Sequence, residues 1–176
     1  MRTFISINCP LDMKFDELKE CGNLNIVKKE NFHITLKFLG EIDKKTVTEI
    51  SNKLKFLENY KEFKISLYGI GTFPNENYVR VLWIGVDEGK DKIIEIQKEI
   101  DKVLEYKFQK EKDFVPHLTI ARIKSISNKE KFKNFIEKYR NFKFLEFQCK
   151  EISLMKSELK KEGAEYTEIE KFKLKS

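Results

Sequence analysis

The chain has only two histidines, three cysteines, three prolines and one tryptophan. It also has no apolar run long enough to span a membrane. Each shortage excludes something. Cys9, Cys21 and Cys149 are odd in number and show no C-x-x-C spacing. They argue against a disulfide framework and for a reducing cytosol. The opening MRTFISINCP has too short an apolar stretch for a signal peptide and lacks a small-residue cleavage site. Abundant Lys and Glu suit a heat-adapted cytoplasmic protein. Arginine is scarce too: Arg2, Arg80, Arg122 and Arg140 are the whole set, and the remaining permanent cations are lysines. A drift in composition toward lysine would not have placed those four.

What is present describes a globular chain. Its 176 residues are 40% hydrophobic and 36% charged, enough to bury a core without staples. They read as one bilobal domain over residues 1–176. The net charge of +6 and the pI near 9.0 favour a polyanionic partner, RNA or DNA.

Periodicity gives the elements. RTFISIN (2–8) reads as a strand, and Phe15 and Leu18 after Pro10 have helical spacing. FHITLKFLG (32–40) is a strand closed by Gly40. Val47, Ile50, Leu54 and Leu57 form the stripe of a helix from Asp43 to Tyr60. FKISLYGIGTF (63–73) and YVRVLWIGV (78–86) are extended, and Ile93, Ile96, Ile100, Val103 and Leu104 mark a helix from Asp91 to Tyr106. HLTIARI (117–123) is a strand. Ser127 with Glu130 has the spacing of a capping box opening a third helix. Long strands with a turn near Gly163 close the chain, and Phe142, Phe144 and Phe147 are expected in the core. The order strand, helix, strand, helix occurs twice, from Arg2 to Tyr60 and from Tyr78 to Tyr139. That predicts two similar lobes packed as one unit.

Both histidines lie in the same phrase. His33 is followed by Thr35 in NFHITLKFLG, and His117 by Thr119 in VPHLTIAR. With seven threonines in the chain, chance places both pairs roughly one time in six hundred. On a strand, residues i and i+2 share a face. Each imidazole therefore points the same way as its threonine hydroxyl, while Ile34, Leu36, Leu118 and Ile120 face a core. Two such strands meeting across a cleft would bring both imidazoles and both hydroxyls to one place. That suits in-line displacement at phosphorus, which needs a base on one side and an acid on the other. Histidine can do either near neutral pH. The hydroxyls can donate to oxygens that gain charge. The motifs supply too few ligands for a dinuclear metal site, so no metal or cofactor is expected.

At these residues the chain resembles the two-histidine (2H) phosphoesterase superfamily, and within it the RNA 2′,3′-cyclic phosphodiesterases, or 2′-5′ RNA ligase family. RTFISINCP, NFHITLKFLGEID, GIGTFPN with VRVLWIGV, FVPHLTIAR and KSELKKEGAEYTEI carry the likeness over nearly the whole chain. It implies an α+β fold of two pseudo-symmetric lobes, each of antiparallel sheet with helices outside, around a central cleft. It implies opening of a terminal RNA 2′,3′-cyclic phosphate to a 2′-phosphate. By resemblance His33 gives a proton to the leaving oxygen, His117 activates water, and Thr35 and Thr119 hold the phosphate. The residues themselves do not tell acid from base.

Other candidates are weighed by strand parity. Lys37 shares the parity of His33 and is expected at the cleft mouth, or else is a solvated strand-end lysine. Arg122 could grip phosphate bidentately, but its parity is opposite to His117. It reaches the cleft only if the strand twists, bulges or ends. Phe73, Pro74 and Phe114 could stack on a base or belong to the core. Arg80 and Trp83 have opposite parity, with Trp83 expected in the core. The expected partner is RNA with cyclic phosphate ends, tRNA halves included, and the protein is expected to work as a monomer away from membranes. Alternatives are 2′-5′ ligation of tRNA halves, hydrolysis of small cyclic nucleotide phosphates, and RNA-end binding with little catalysis.

Overall fold

The apolar alternation of the sequence becomes nine strands and three α-helices in a computed structural model describing residues Met1–Ser176. The strands are β1 (Arg2–Asn8), β2 (Gly22–Ile26), β3 (His33–Glu41), β4 (Phe63–Asn75), β5 (Tyr78–Val86), β6 (His117–Ile126), β7 (Lys143–Cys149), β8 (Glu151–Lys160) and β9 (Gly163–Lys173). The helices are α1 (Lys44–Lys53), α2 (Lys90–Leu104) and α3 (Lys129–Tyr139). Asp43 caps α1, its Oδ1 accepting from the Thr46 amide at 2.8 Å. The helix expected up to Tyr60 tightens to a 3-10 turn over Leu54–Asn59. The cap of α3 is Asn128 rather than Ser127: its Oδ1 accepts from the Lys131 amide at 3.1 Å. β2 was not apparent from the sequence, because GNLNI carries two apolar residues and no strand-like run.

Every strand pair is antiparallel, in the order β7-β4-β5-β6-β3-β1-β8-β9, with β2 also on β6. β3 and β6 meet at one pair only, Ile34 opposite Leu118. That seam divides the curled sheet into a lobe built on β1, β3, β8 and β9 and a lobe built on β4, β5, β6, β7 and β2. Both motif strands therefore stand side by side at the seam. The helices do not follow the repeated order of the sequence. α2, from the second repeat, packs behind β3 and against α1. The 3-10 turn at Asp16–Glu20, from the first repeat, packs on β2 and α3. The two lobes thus exchange helical elements.

Each motif strand carries one extra residue just after its threonine. Across β1, Ser6 faces Thr35 but Ile5 faces Lys37, so Leu36 is the extra residue of β3. Across β5, Trp83 faces Thr119 but Leu82 faces Ala121, so Ile120 is the extra residue of β6. Such a bulge reverses the alternation beyond it. Leu36 and Lys37 are both buried, as are Ile120 and Ala121. Phe38 and Arg122, the fifth residue after each histidine, then emerge exposed.

Lys37 is accordingly not at the cleft mouth. Only 2% exposed, it reaches into the protein, where its Nζ donates to Asp101 Oδ1 at 2.5 Å and to the Gln109 carbonyl at 2.7 Å. Asp101 Oδ2 accepts from Gln97 Nε2 at 2.9 Å and from the Glu111 amide at 2.8 Å. A buried ammonium and carboxylate tolerate desolvation only when paired and hydrogen-bonded; here they are paired, the ammonium with two acceptors and the carboxylate with three donors. The network also fastens the segment from α2 to β6 that leads to His117. Of the three phenylalanines expected in the core, Phe144 and Phe147 are partly buried and pack against it. Phe142 does not: it is 40% exposed and caps an aromatic group with Tyr139 and Phe144.

Replacing Lys37 by Met leaves Asp101 buried without its cation, at a cost of about 3–5 kcal/mol. Urea unfolding should show this loss. The double variant Lys37→Met with Asp101→Leu should recover most of it, and a single variant as stable as the wild type would contradict the assignment.

Candidate active site

His33 and His117 open β3 and β6, and each is held in the same way. His33 Nδ1 lies 2.7 Å from the Asn31 carbonyl, and His117 Nδ1 lies 2.7 Å from the Val115 carbonyl. A carbonyl only accepts, so each Nδ1 carries a proton and donates it. The nitrogen left to gain or lose a proton is Nε2 in both rings. Two short backbone bonds thus select one tautomer twice.

Aromatic rings fix the imidazole planes. His33 lies against Phe4, with centroids 5.0 Å apart, and edge-on to Tyr166 at 5.2 Å. His117 lies edge-on to Phe73 at 5.0 Å and against Trp83 at 5.7 Å. Trp83 is half-buried beside the histidine and is not a core residue. Its ring lies over Gly71, where an added Cβ would stand 2.2 Å from the indole. Glycine is required there because the indole occupies the place of a side chain. Arg80 is an extra residue of β5, between Val79 opposite Pro74 and Val81 opposite Phe73, and donates to the Lys124 carbonyl at 3.2 Å. Phe73 is a wall of the His117 setting. Phe114 is partly buried and packs against the core.

Thr35 and Thr119 lie on the same face as their histidines and are half-buried like them. The bulge in β6 brings Arg122 to this face, which meets the condition set by its sequence parity. Its charge disfavours the protonated form of both imidazoles and favours the ionised form of Tyr166. Burial is the main reason that both histidines titrate below their ordinary value. The carbonyl bonds oppose that shift, and the Arg122 charge adds to it. His117 further lowers His33 by like-charge repulsion. A cationic residue facing two hydrogen-bonding imidazoles is a setting for an anion.

Phe38 and Tyr166 were missed by sequence reasoning. Phe38 is 60% exposed and its ring is 6.2 Å from Phe4. The signal for it was available: HITLKF and HLTIAR match position by position, so Phe38 is the counterpart of Arg122. Tyr166 had no such signal, because it comes from the distant closing hairpin.

Two histidines and two threonines lining one groove between related lobes define a two-histidine phosphoesterase site. The comparisons agree. The family model described as the AKAP7 2′5′ RNA ligase-like domain matches residues 12–174. An RNA 2′,3′-cyclic phosphodiesterase of Methanocaldococcus jannaschii is 44% identical, over 98% of this chain and 100% of that one. Another of the same name, from Methanothermobacter thermautotrophicus, is 36% identical over 90% and 88%. Among solved structures, a Thermus thermophilus protein matches with a TM-score of 0.78 at 23% identity, over 98% of this chain and 97% of that one. Escherichia coli LigT complexed with ATP matches with a TM-score of 0.69 at 18% identity, over 100% and 99%. Those two likenesses support the fold. The chain therefore belongs to the 2′-5′ RNA ligase-like family of the two-histidine phosphoesterase superfamily.

Because Arg122 depresses both imidazoles, Arg122→Met should raise both titration midpoints toward the ordinary histidine value of about 6.5. Proton NMR of the two ring C–H signals against pH would measure this. Midpoints that stay in place would refute that influence of Arg122.

Proposed function

We propose that the chain, working as one bilobal domain over residues 1–176, is an RNA 2′,3′-cyclic phosphodiesterase. The observation that carries this reading is the matched pair of imidazoles, each with Nδ1 tied to a carbonyl and Nε2 free. The names of its relatives support the same activity.

In this mechanism the cyclic phosphate lies between the two Nε2 atoms. His117 Nε2 accepts a proton from water as the water oxygen bonds to phosphorus. The bond from phosphorus to O3′ breaks, and protonated His33 gives its proton to O3′. The product carries a 2′-phosphate and a free 3′-hydroxyl. Thr35 and Thr119 donate to the non-bridging oxygens, and Arg122 balances their charge. No metal ion takes part. The scheme needs His33 protonated although Arg122 disfavours that state. A bound phosphodiester anion offsets the guanidinium and restores the proton. Phe38, exposed beside the site, offers a face for the terminal base.

Buried free cysteines suit a cytoplasmic setting, and no helix is long and apolar enough to cross a membrane. The basic charge suits RNA over a small cyclic nucleotide, since a polyanion meets many lysines at once. tRNA halves are one such RNA, and monomeric action requires nothing beyond the site within one chain.

The test is hydrolysis of a short RNA ending in a 2′,3′-cyclic phosphate, in the presence of a chelator. Wild type should yield the 2′-phosphate, and His33→Ala or His117→Ala should each lose at least about a hundredfold in rate. A requirement for metal, or a 3′-phosphate product, would refute the mechanism. The pH profile should also be a bell. One ring must be neutral and the other charged, and both titrate below 6.5 in the free protein, so kcat/KM should peak on the acidic side of 6.5. A profile that rises steadily into the alkaline range would exclude paired histidines.

A further inference from the structure

A hollow of about 540 Å³ lies beside His33; of the residues described above in the site it takes in only Asn31 and Tyr166, which position that ring. One wall comes from the His33 lobe: Asn8, Lys29, Asn31 and Tyr166. The opposite wall comes from the end of β7 and the residue after it: Gln148 and Lys150. We propose that this hollow is a subsite for the nucleotide that precedes the terminal cyclic phosphate in an RNA chain. The proposal rests on the phosphodiesterase reading and names the form of substrate that this reading leaves open.

Three observations carry it. The first is position. Asn8 is paired with His33 across β1 and β3. The Asn31 carbonyl accepts the His33 Nδ1 proton, and the Tyr166 ring lies edge-on to His33. The hollow therefore starts where the His33 setting ends. A nucleotide with its cyclic phosphate between the histidines leaves the hollow empty, whereas the chain attached to its 5′ side can extend into it.

The second is chemistry. The hollow has the volume of a ligand site. Its amide side chains at Asn8, Asn31 and Gln148 can both donate and accept, as base edges require. Tyr166 and Phe147 offer aromatic surface. Lys29 and Lys150 are matched by Glu30 and Glu151 on the same walls. Lys29 is already paired with Asp12 at 2.7 Å and Glu151 with Lys171 at 3.5 Å. A wall without net charge suits a nucleoside better than a run of phosphates.

The third is coupling. Asn31 Nδ2 donates to the Ala164 carbonyl at 2.9 Å, on the strand that carries Tyr166. The two residues that bound the hollow are thus tied to each other and to His33. Contacts made in the hollow hold the groups that orient the imidazole. Binding energy gained away from the reacting bond can then appear in kcat rather than only in KM.

The experiment compares a 2′,3′-cyclic mononucleotide with a dinucleotide ending in the same cyclic nucleotide, using wild type and the double variant Gln148→Ala with Lys150→Ala. Both substituted side chains are exposed and belong to the lobe opposite His33, so thermal unfolding should be unchanged. Wild type should hydrolyse the dinucleotide with a kcat/KM higher by about tenfold or more, partly in kcat, the scale of one seated base. The double variant should lose most of that advantage while hydrolysing the mononucleotide as before. Equal kcat/KM for the two substrates in wild type would overturn the subsite. So would an advantage that survives intact in the double variant. Turnover of neither substrate would instead reject the phosphodiesterase reading, and the subsite with it.

Discussion

The structure depends most on a bond made twice: the Nδ1 proton of each histidine is committed to a main-chain carbonyl two residues earlier. Without it the imidazoles would be free to choose tautomer and orientation. With it, each ring exposes one definite nitrogen toward the cleft. The cost is small, because the acceptor lies in the same stretch of chain and no distant residue must be ordered. An uncharged carbonyl does this without adding charge. A carboxylate in its place would hold the proton more tightly and pull the imidazole toward the charged state. The site instead holds its rings weakly basic by burial and by a single arginine.

A second constraint is the extra residue in each motif strand. Strict alternation would place Lys37 with His33 and turn Arg122 away from His117. One inserted position in each strand reverses both outcomes. An ammonium goes inside, where Asp101 meets it, and a guanidinium goes to the cleft. The bulges are therefore as much a part of the site as the motifs. They also explain why two nearly identical phrases end with different chemistry, an apolar ring at Phe38 and a cation at Arg122, on two sides of one groove.

The motifs, most of the strands and the α+β class were legible in the sequence, because period-two alternation and a repeated phrase are local signals; that the two histidine strands lie side by side in one sheet was not. Parity set Arg80 and Trp83 apart, but the expectation of Trp83 in the core fails, because its ring stands beside His117. What escaped was what the alternation rule does not encode. A bulge is one residue without a residue signature, so alternation alone puts Lys37 on the wrong side and makes the reach of Arg122 conditional. β2 is too short and polar to declare itself. Tyr166 lies more than a hundred residues from His33, and only the closed sheet brings them together. The third helix starts one residue late because the side chain that accepts from a first-turn amide, that of Lys131, belongs to Asn128 and not to Ser127.

The exchange of helical elements between the lobes has a consequence for how the chain reaches its fold. The repeat suggests two halves that could each collapse on their own. Yet α2 completes the layer behind β3, and the 3-10 turn after β1 completes the layer beside α3. The first strand is also flanked by β8, from near the other end of the chain. Neither half encodes a full core. Contacts must close over long sequence separations before they are rewarded, which is the regime of slow folding. The cleft exists only where the two interlocked halves meet, so it depends on those distant contacts.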